Sequence, residues 1–232
     1  GVFTLTQSTV ASNTAELGGG LYNAAGEVHV VGETIFRQNG ADDGGALYAA
    51  GGSTYLGDES ALAANSATRG AGLFHAAGGD LLLDGALIRD NTAGGEGGGV
   101  YHEAGAATIQ NTMLYRNAAD QGGGLYAQSG ADLTVNFDTF YANSAAYDGG
   151  AFYTVDTAPV VKNTIFATNT ATLGNGDAIY SAQSGYTTDG NNDVFPWSAN
   201  AYHQTTGAGD FQMPPRFVDA AGGDLRLRDT SP

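Results

Sequence analysis

The stretch FRQNGADDGGALY, residues 36–48, contains every element of the repeat that decides the fold. An apolar residue stands three positions before Asn39, an alanine two positions after it, and a glycine cluster then leads into Leu47 and Tyr48. Residues 140–153 show the same arrangement, beginning FYAN and ending GGAFY. A motif that returns in this way indicates a repeat protein, in which each repeat packs mainly on its neighbours.

Asparagines spaced 26 residues apart set the length of the repeat. The column consists of Asn13, Asn39, Asn65, Asn91, Asn117, Asn143 and Asn169. Between the motifs lie short apolar or β-branched segments, and no window has the periodicity of a long helix. We therefore predict an all-β fold, a right-handed single-stranded parallel β-helix of about seven coils with three strands per coil.

The asparagine column has a structural interpretation that we prefer to a ligand-binding one. Asparagine tolerates the left-handed backbone conformation better than most residues, which suits a tight corner. Its side-chain amide both donates and accepts, so stacked copies can form a hydrogen-bonded ladder from coil to coil. We predict that these asparagines occupy left-handed corners and form such a ladder.

The 26-residue register divides the chain into two regions. Residues 1–180 are predicted to form the β-helix repeats, and residues 181–232, which hold four of the five prolines, an irregular C-terminal cap that continues the β-helix. Phe195, Trp197 and Phe211 are the expected apolar plugs of this cap. Phe3 begins partway round a coil, so we expect an open edge there that upstream chain, a partner or a second copy covers.

The motifs resemble those of a known family. Glycine clusters followed by Leu, Val or Ile, together with an apolar residue three positions before Asn, resemble the repeats of the polymorphic outer membrane protein family over residues 3–180. The tail, with residues 215–219 and 223–227, looks like the end segment of many bacterial right-handed β-helix surface proteins. The resemblance implies a secreted or bacterial surface-displayed β-helix with a role in adhesion or display.

Charge and composition exclude several classes of function. The chain has 8 basic and 24 acidic residues, a formal net charge of −16, so it lacks the basic face that a nucleic-acid binder needs. It has no cysteine, which excludes disulfides and thiolate metal sites. No apolar run approaches the length of a membrane-spanning helix, so we expect no direct membrane span.

An aromatic residue follows the apolar residue after each glycine cluster. The column is Tyr22, Tyr48, Phe74, Tyr101, Tyr126, Tyr153 and Tyr180. Because side chains alternate along a strand, these rings should point outward, one per coil. Tyr22, Tyr48, Tyr101, Tyr126 and Tyr153 are therefore candidates for stacking on the sugars of a glycan. The alternative is that the rings pack on one another.

Two further groups of side chains are candidate ligand sites. Loops before the glycines carry Glu16, Asp42, Asp43, Glu96, Asp120 and Asp148. Oxygen-rich loops suit Ca²⁺, so Asp42, Asp43, Asp120 and Asp148 are calcium candidates, although no calcium-binding motif is present and a solvated edge is the alternative. His75 and His102, with Glu103, could bind a metal or exchange protons.

No arrangement typical of catalysis is present. β-helix polysaccharide lyases combine carboxylates with a basic residue, but the basic residues here do not gather, and no serine or cysteine nucleophile motif occurs. We assign no catalytic residue and no cofactor other than the calcium candidate. The sequence favours a non-catalytic structural or adhesive element that meets a glycan or protein of a host or neighbouring cell. The alternatives are a glycan-binding or lyase-like β-helix, and an end-to-end assembling filament or coat subunit.

Overall fold

The computed structural model describes residues 1–128, 131–182, 186–188, 190–196, 198, 200–203, 205–207 and 209–231. Within these residues the chain contains strands and no helix. Its strands stack in parallel as a β-solenoid of about seven turns, which confirms the predicted parallel β-helix.

Three parallel sheets form the walls of the solenoid. Sheet 1 contains Val2–Thr6, Leu21–Asn23, Glu27–Val31, Leu47–Gly57, Leu73–Asp84, Val100–His102, Gly105–Gln110, Leu125–Ala127, Ala131–Asn136, Phe152–Thr154, Val160–Lys162, Ile179–Ser181 and Tyr202–His203. Sheet 2 contains Thr9–Ala11, Ile35–Arg37, Ala61–Ala63, Leu87–Arg89, Met113–Tyr115, Thr139–Tyr141, Ile165–Ala167 and Asp193–Phe195. Sheet 3 contains Ser66–Ala67, Thr92–Ala93, Ala118–Ala119, Ser144–Ala145 and Thr170–Ala171.

The register of the sheets places residues at equivalent repeat positions next to each other in space. Ile88 pairs with Leu62 on one side and with Leu114 on the other, so residues 26 positions apart lie on adjacent rungs. Sheet 1 carries two segments per coil, an aromatic segment and the segment after it. In two coils these segments form one continuous strand, Leu47–Gly57 and Leu73–Asp84. In the next coil a short bend separates them into Val100–His102 and Gly105–Gln110.

A single apolar core fills the inside of the solenoid. Its inward-facing columns come from sheets 1 and 2, and the column of sheet 2 contains Phe36, Leu62, Ile88, Leu114, Phe140 and Phe166. All six side chains are fully or almost fully buried. Each burial stabilises the fold by roughly 2 kcal/mol, and close packing between rungs fixes the distance at which side chains of adjacent coils meet.

The asparagine column forms a ladder at the corner between sheets 2 and 3. Each side-chain amide from Asn13 to Asn143 donates to the Oδ1 atom of the next asparagine, as from Asn65 to Asn91 at 2.9 Å and from Asn91 to Asn117 at 3.0 Å. The backbone N–H of Asn65 donates to the same Oδ1 atom of Asn91 at 3.0 Å. The amide of Asn91 also donates to the carbonyl of Leu62 at 2.9 Å, so the inner rungs are saturated.

The predicted left-handed backbone at these asparagines is wrong. The positive φ belongs to the residue immediately before each asparagine, at Ser12, Gln38, Ala64, Asp90, Arg116, Ala142 and Thr168. The reason is geometric, because the turn at the preceding residue directs the asparagine side chain inward to its neighbours. The hydrogen bonds that the asparagine makes then hold a conformation that costs a non-glycine residue roughly 1 kcal/mol.

The first glycine of each cluster also has a positive φ. At Gly44 φ is +67°, and a Cβ atom would lie 2.5 Å from the carbonyl oxygen of Leu47. Both the conformation and the close approach therefore require glycine at this position.

A second corner, between sheets 1 and 2, carries a more varied inward column. It consists of Ser8, Thr34, Ser60, Ala86, Thr112, Asp138, Thr164 and Asn192. Thr34, Thr112 and Thr164 each donate their hydroxyl to a nearby backbone carbonyl at 2.7–2.9 Å. The carboxylate of Asp138 accepts the backbone N–H of Thr112 at 2.7 Å and that of Asn136 at 2.9 Å.

The C-terminal region continues the solenoid and then leaves it. Asp193–Phe195 and Tyr202–His203 add strands to sheets 2 and 1. The hairpin of Phe217–Asp219 and Asp224–Leu227 instead packs on the outer face of sheet 2, where Phe217 and Leu225 join Tyr115.

The predicted plugs of the cap correspond only partly to this arrangement. Phe211 is 41% exposed, so its predicted role as a buried plug is wrong. Its backbone forms the next rung of sheet 2 beside Asp193, and no coil above covers its side chain in the described residues. Phe195 is half-buried, and Trp197 lies outside the described residues.

The first strand of sheet 1 lies at the opposite end of the described solenoid. Val2–Thr6 is the outermost strand of sheet 1 in the described chain and pairs only with Glu27–Val31. Val2 is 62% and Phe3 52% exposed. This edge therefore presents unpaired backbone groups together with apolar side chains.

Candidate functional site

The seven aromatic residues form a continuous stack on the outside of sheet 1. Consecutive ring centroids lie 4.6–5.5 Å apart with interplanar angles of 4–26°. The stack forms because Leu47, Leu73 and their equivalents point into the core, so the next residue points outward at every rung. The rung spacing then brings each ring into van der Waals contact with the next.

Arg69 covers the middle of this stack. Its guanidinium lies 5.0 Å from the ring centroid of Phe74 and 5.4 Å from that of Tyr101. Two hydrogen bonds of 2.8 and 2.6 Å to the carboxylate of Asp43 hold it there. The hydrogen bonds to Asp43 raise the pKa of Arg69 above its usual value, so the cation is permanent.

Raised pKa values keep five tyrosine hydroxyls of the stack protonated over the physiological range, those of Tyr48, Tyr101, Tyr126, Tyr153 and Tyr180. Burial, together with Tyr180 and Asp148, raises the pKa of Tyr153 to about 12. Burial and the neighbouring tyrosines also raise the pKa of Tyr126. The hydroxyl of Tyr101 donates to Oε1 of Gln128. The outer rim of the stack is thus a row of hydrogen-bond donors.

The stacking limits how the predicted glycan candidates could contact a sugar. Both faces of Tyr48, Tyr101, Tyr126 and Tyr153 are occupied by neighbouring rings, and Tyr101 and Tyr153 are buried. A sugar could meet these rings only at their edges and hydroxyls. Tyr22 ends the stack and is 49% exposed. The rings therefore pack on one another, which was the alternative to glycan stacking in the sequence analysis. Glycan binding at these residues stays a prediction.

The acidic loops do not converge on one point. Both carboxylate oxygens of Asp43 bind Arg69, and the Oδ1 atom of Asp148 accepts the backbone N–H of Asn175 at 2.8 Å. Asp42 and Asp120 are exposed. Among the described residues no group of three or more histidine, cysteine, aspartate or glutamate side chains could hold a metal ion. Calcium binding at these four aspartates stays a prediction.

His75 and His102 lie on adjacent rungs and are completely buried. Their Nδ1 atoms are 2.8 Å apart, so one ring donates to the other, and their Nε2 atoms have no hydrogen-bond partner in the described part of the chain. Burial lowers the pKa of His75, and burial together with His75 lowers the pKa of His102 to about 4. Both rings are neutral at neutral pH. Glu103 reaches the pair only through its backbone N–H, which donates to the carbonyl of His75 at 2.9 Å.

An apolar concavity lies elsewhere, on the second segment of sheet 1. It is a cleft of about 560 Å³ on the outer surface of four adjacent coils. Its centre is Tyr55, whose ring meets the ring of His29 edge-on at a centroid distance of 5.7 Å. Leu82 and Thr108 continue the wall along the same row. The bend between the two segments of sheet 1, at Gly78 and its neighbours, borders the cleft.

Sequence reasoning missed this cleft. Its wall is built from residues of different types on successive rungs, so no column of identical residues marks it. The register alone could have revealed it, because His29, Tyr55 and Leu82 pair directly across the sheet. The cleft could therefore be recognised from the positions of its residues in the repeat, but not from their residue types.

Comparison of the chain with protein-family models, with curated proteins and with solved structures found no match. The resemblance to polymorphic outer membrane protein repeats therefore stays a prediction that its motifs support. The described part of the chain contains no helix of the length and hydrophobicity needed to cross a bilayer.

Proposed function

We propose that this protein is a non-catalytic, secreted or bacterial surface-displayed β-helix that serves as a structural and adhesive element. The observation that carries the proposal is a contrast between the inside and the outside of the coils. The inward asparagine column carries the same residue on every rung, whereas the outward row from His29 through Tyr55 and Leu82 to Thr108 changes from rung to rung. A uniform ladder gives a rigid support, and a variable outer row suits recognition of another surface.

Two further features support an extracellular role. The asparagine ladder and the stacked rings connect successive coils without a disulfide, so the fold depends on no redox compartment. The net charge of −16 keeps such a chain soluble and disfavours contact with nucleic acid. Its partner would be a glycan or protein of a host or neighbouring cell.

Surface labelling and adhesion together test the proposal. Antibodies against the purified chain should label intact cells of the source organism or detect the protein in the medium. Beads coated with the chain should adhere to target cells more than beads coated with a heat-unfolded sample. Labelling only after cell lysis, combined with equal adhesion of both bead types, would contradict it.

A second candidate function is assembly of copies into a filament or coat through the first strand of sheet 1. Val2–Thr6 is a parallel edge strand with exposed apolar residues, and such edges pair readily with another chain. Sedimentation of the purified chain at increasing concentration should then show growing assemblies. Phe3→Lys should reduce them, because a charge on the edge opposes pairing. A monomer at all concentrations would contradict this candidate.

A further inference from the structure

We propose that the cleft around Tyr55 binds a cationic amino-sugar chain, with the chain lying along the axis of the solenoid. The inference deepens the adhesive role proposed above, and its biological meaning rests on that role. It does not use the aromatic stack, whose ring faces are already occupied.

Two parallel rows of outward side chains build the cleft. The apolar row runs from His29 through Tyr55 and Leu82 to Thr108, with one residue on each rung. The polar row lies two residues away in each strand and runs from Glu27 through Ser53 and Asp80 to Ala106. A ligand along the axis would therefore meet an apolar surface on one side and acceptor groups on the other.

The apolar row suits the face of a sugar ring. The ring of Tyr55 is held at an angle to that of His29, and Leu82, which is 37% exposed, extends the surface to the next rung. Pyranose rings carry an apolar C–H face and a polar hydroxyl edge. Such a ring can place its face on this row while its polar groups reach Ser53 and the carboxylates.

The charges of the cleft select a cation. Glu27 and Asp80 both line it, and no lysine or arginine does. The Nε2–H of His29 donates to Oε1 of Glu27 at 2.7 Å, which holds the carboxylate beside the cleft and leaves its second oxygen available. The carboxylate of Asp80 has no hydrogen-bond partner among the described residues. Two available carboxylates in a chain of net charge −16 favour an ammonium-bearing ligand over an acidic one.

The spacing of the carboxylates indicates a polymer of amino sugars. Glu27 and Asp80 lie two rungs apart, or about 9.6 Å along the axis, with Ser53 between them. In a flat β(1→4)-linked glucosamine chain each ring advances by about one rung, and every second ring presents its amine on the same side. Two amines of such a chain can therefore meet both carboxylates while the ring between them faces Ser53.

Calorimetric titration of the purified chain with glucosamine hexamer at low salt tests the inference. Cellohexaose, which has the same linkage and no charge, is the matched probe. We expect the glucosamine hexamer to bind about tenfold or more tightly than cellohexaose, with an affinity that falls as salt is added. Glu27→Gln combined with Asp80→Asn should abolish this preference, and Tyr55→Ala should weaken binding of both probes by about tenfold.

Matched variants outside the cleft serve as controls. Asp132 belongs to the same polar row two rungs beyond Asp80 and is exposed, and Tyr147 is an exposed aromatic residue elsewhere. Asp132→Asn and Tyr147→Ala should bind like the unchanged chain. All variants should keep its urea unfolding midpoint. Absence of binding by the unchanged chain, equal affinity for both probes, or an equal loss in Asp132→Asn would overturn the inference.

The same experiments separate this inference from the proposed function. Beads that adhere to cells although the cleft binds no amino sugar would overturn only the inference. Binding in the cleft by a protein that is never found outside the cell would overturn only the adhesive role.

Discussion

The two corners that flank sheet 2 differ in how fully their inward polar side chains are hydrogen-bonded. At the corner between sheets 2 and 3 every rung carries asparagine, and each inner amide is fully hydrogen-bonded. At the corner between sheets 1 and 2 the inward residue changes from rung to rung. There the hydroxyl of Ser60 is buried without a partner and Asp138 buries a carboxylate.

The difference follows from the chemistry of the side chains. An amide presents a donor and an acceptor in one plane, so a stack of identical amides satisfies itself rung after rung. The threonine hydroxyls of the second corner donate their single proton to backbone carbonyls, and a carboxylate has no proton to donate, so neither extends a side-chain ladder at this corner. Those residues instead bond to nearby backbone, which demands no particular residue on the next rung. Uniform columns thus arise where neighbouring side chains bond to one another.

A third inward column, at the bend within sheet 1, shows the same variation. Its members are Asn23, Ala49, His75, His102, Ala127, Thr154 and Ser181. The paired histidines are the bulkiest members, and their two Nε2 atoms are buried without partners. The uniform corner should therefore resist pH changes, and the two varied columns should respond to them.

The largest effect is expected at the uniform corner. Asn91→Ala removes two hydrogen bonds that the side chain donates and two that it accepts. At about 1 kcal/mol for each bond, the free energy of unfolding should fall by about 4 kcal/mol, measured by urea denaturation. Asn13→Ala, at the exposed first rung, is the matched control and should cost about 1 kcal/mol. Similar losses at both rungs would refute the idea of a mutually dependent ladder.

The next effect concerns the histidine column at acidic pH. The pKa of folded His102 is about 4, below its ordinary value of 6.5. Between these two pKa values the unfolded chain binds more protons than the folded chain. The contribution of this residue to the free energy of unfolding is therefore complete above pH 6.5 and is lost as the pH falls toward 4. The loss should reach about 3 kcal/mol. His75→Ala with His102→Ala should lower stability at neutral pH but remove this acid-dependent loss.

Urea unfolding at several pH values between 4 and 7 measures the difference between this double variant and the unchanged chain. Thr154→Ala changes a buried residue of the same column that does not titrate and is the control, expected to keep the original pH dependence. A pH dependence identical in the double variant and the unchanged chain would show that the buried pair does not cause it.

A smaller effect is expected at Asp138, where the contribution to stability changes with pH in the direction opposite to that of His102. Burial raises the pKa of this carboxyl well above its usual value, so its contribution to stability is greatest below the unfolded pKa and is lost as pH rises through the folded pKa. Asp138→Thr supplies the residue that this column carries at Thr112 and Thr164. We expect it to stabilise the fold by about 1 kcal/mol at pH 7 and by less at pH 4.

Urea unfolding at both pH values checks this expectation. Asp132→Thr, which changes an exposed aspartate, is the control and should not alter the pH dependence. If the stabilisation by Asp138→Thr is the same at pH 4 and pH 7, the buried carboxyl is not the cause.

The smallest effect is expected at Ser60. Its hydroxyl has no partner, so Ser60→Ala should change the free energy of unfolding by less than about 0.5 kcal/mol or raise it slightly. Thr34→Val, in the same column, removes a hydroxyl that donates to the carbonyl of Val31 at 2.7 Å and should cost about 1 kcal/mol. A larger loss at Ser60 than at Thr34 would contradict the bonding pattern described for this corner.

The parts of the fold that the sequence predicted are those in which one residue type repeats. The spacing of Asn65, Asn91 and Asn117 predicted neighbouring coils, and the aromatic residues after Leu47 and Leu73 were correctly placed outside the core. The left-handed residues were missed because Ser12, Gln38 and Ala64 share no chemical property. Their conformation is imposed by the asparagine that follows each of them.

The candidate sites were predictable to a smaller extent. The tyrosines and aspartates could be named from their columns, but the occupation of the ring faces and the pairing of Asp43 with Arg69 depend on distances between coils. The cleft at Tyr55 could not be named, because its rows contain a different residue on each rung and a concave surface arises only when the strands bend.

The amino-acid order by itself determined the rung length, the inward and outward faces of the strands and the ladder residues, because a repeated spacing leaves few ways to bury the same side chains. Only the tertiary structure decided which outward side chains cover one another and which remain accessible. That outcome depends on the fixed distance between coils and on the bend of sheet 1, and both are set by packing across the whole solenoid.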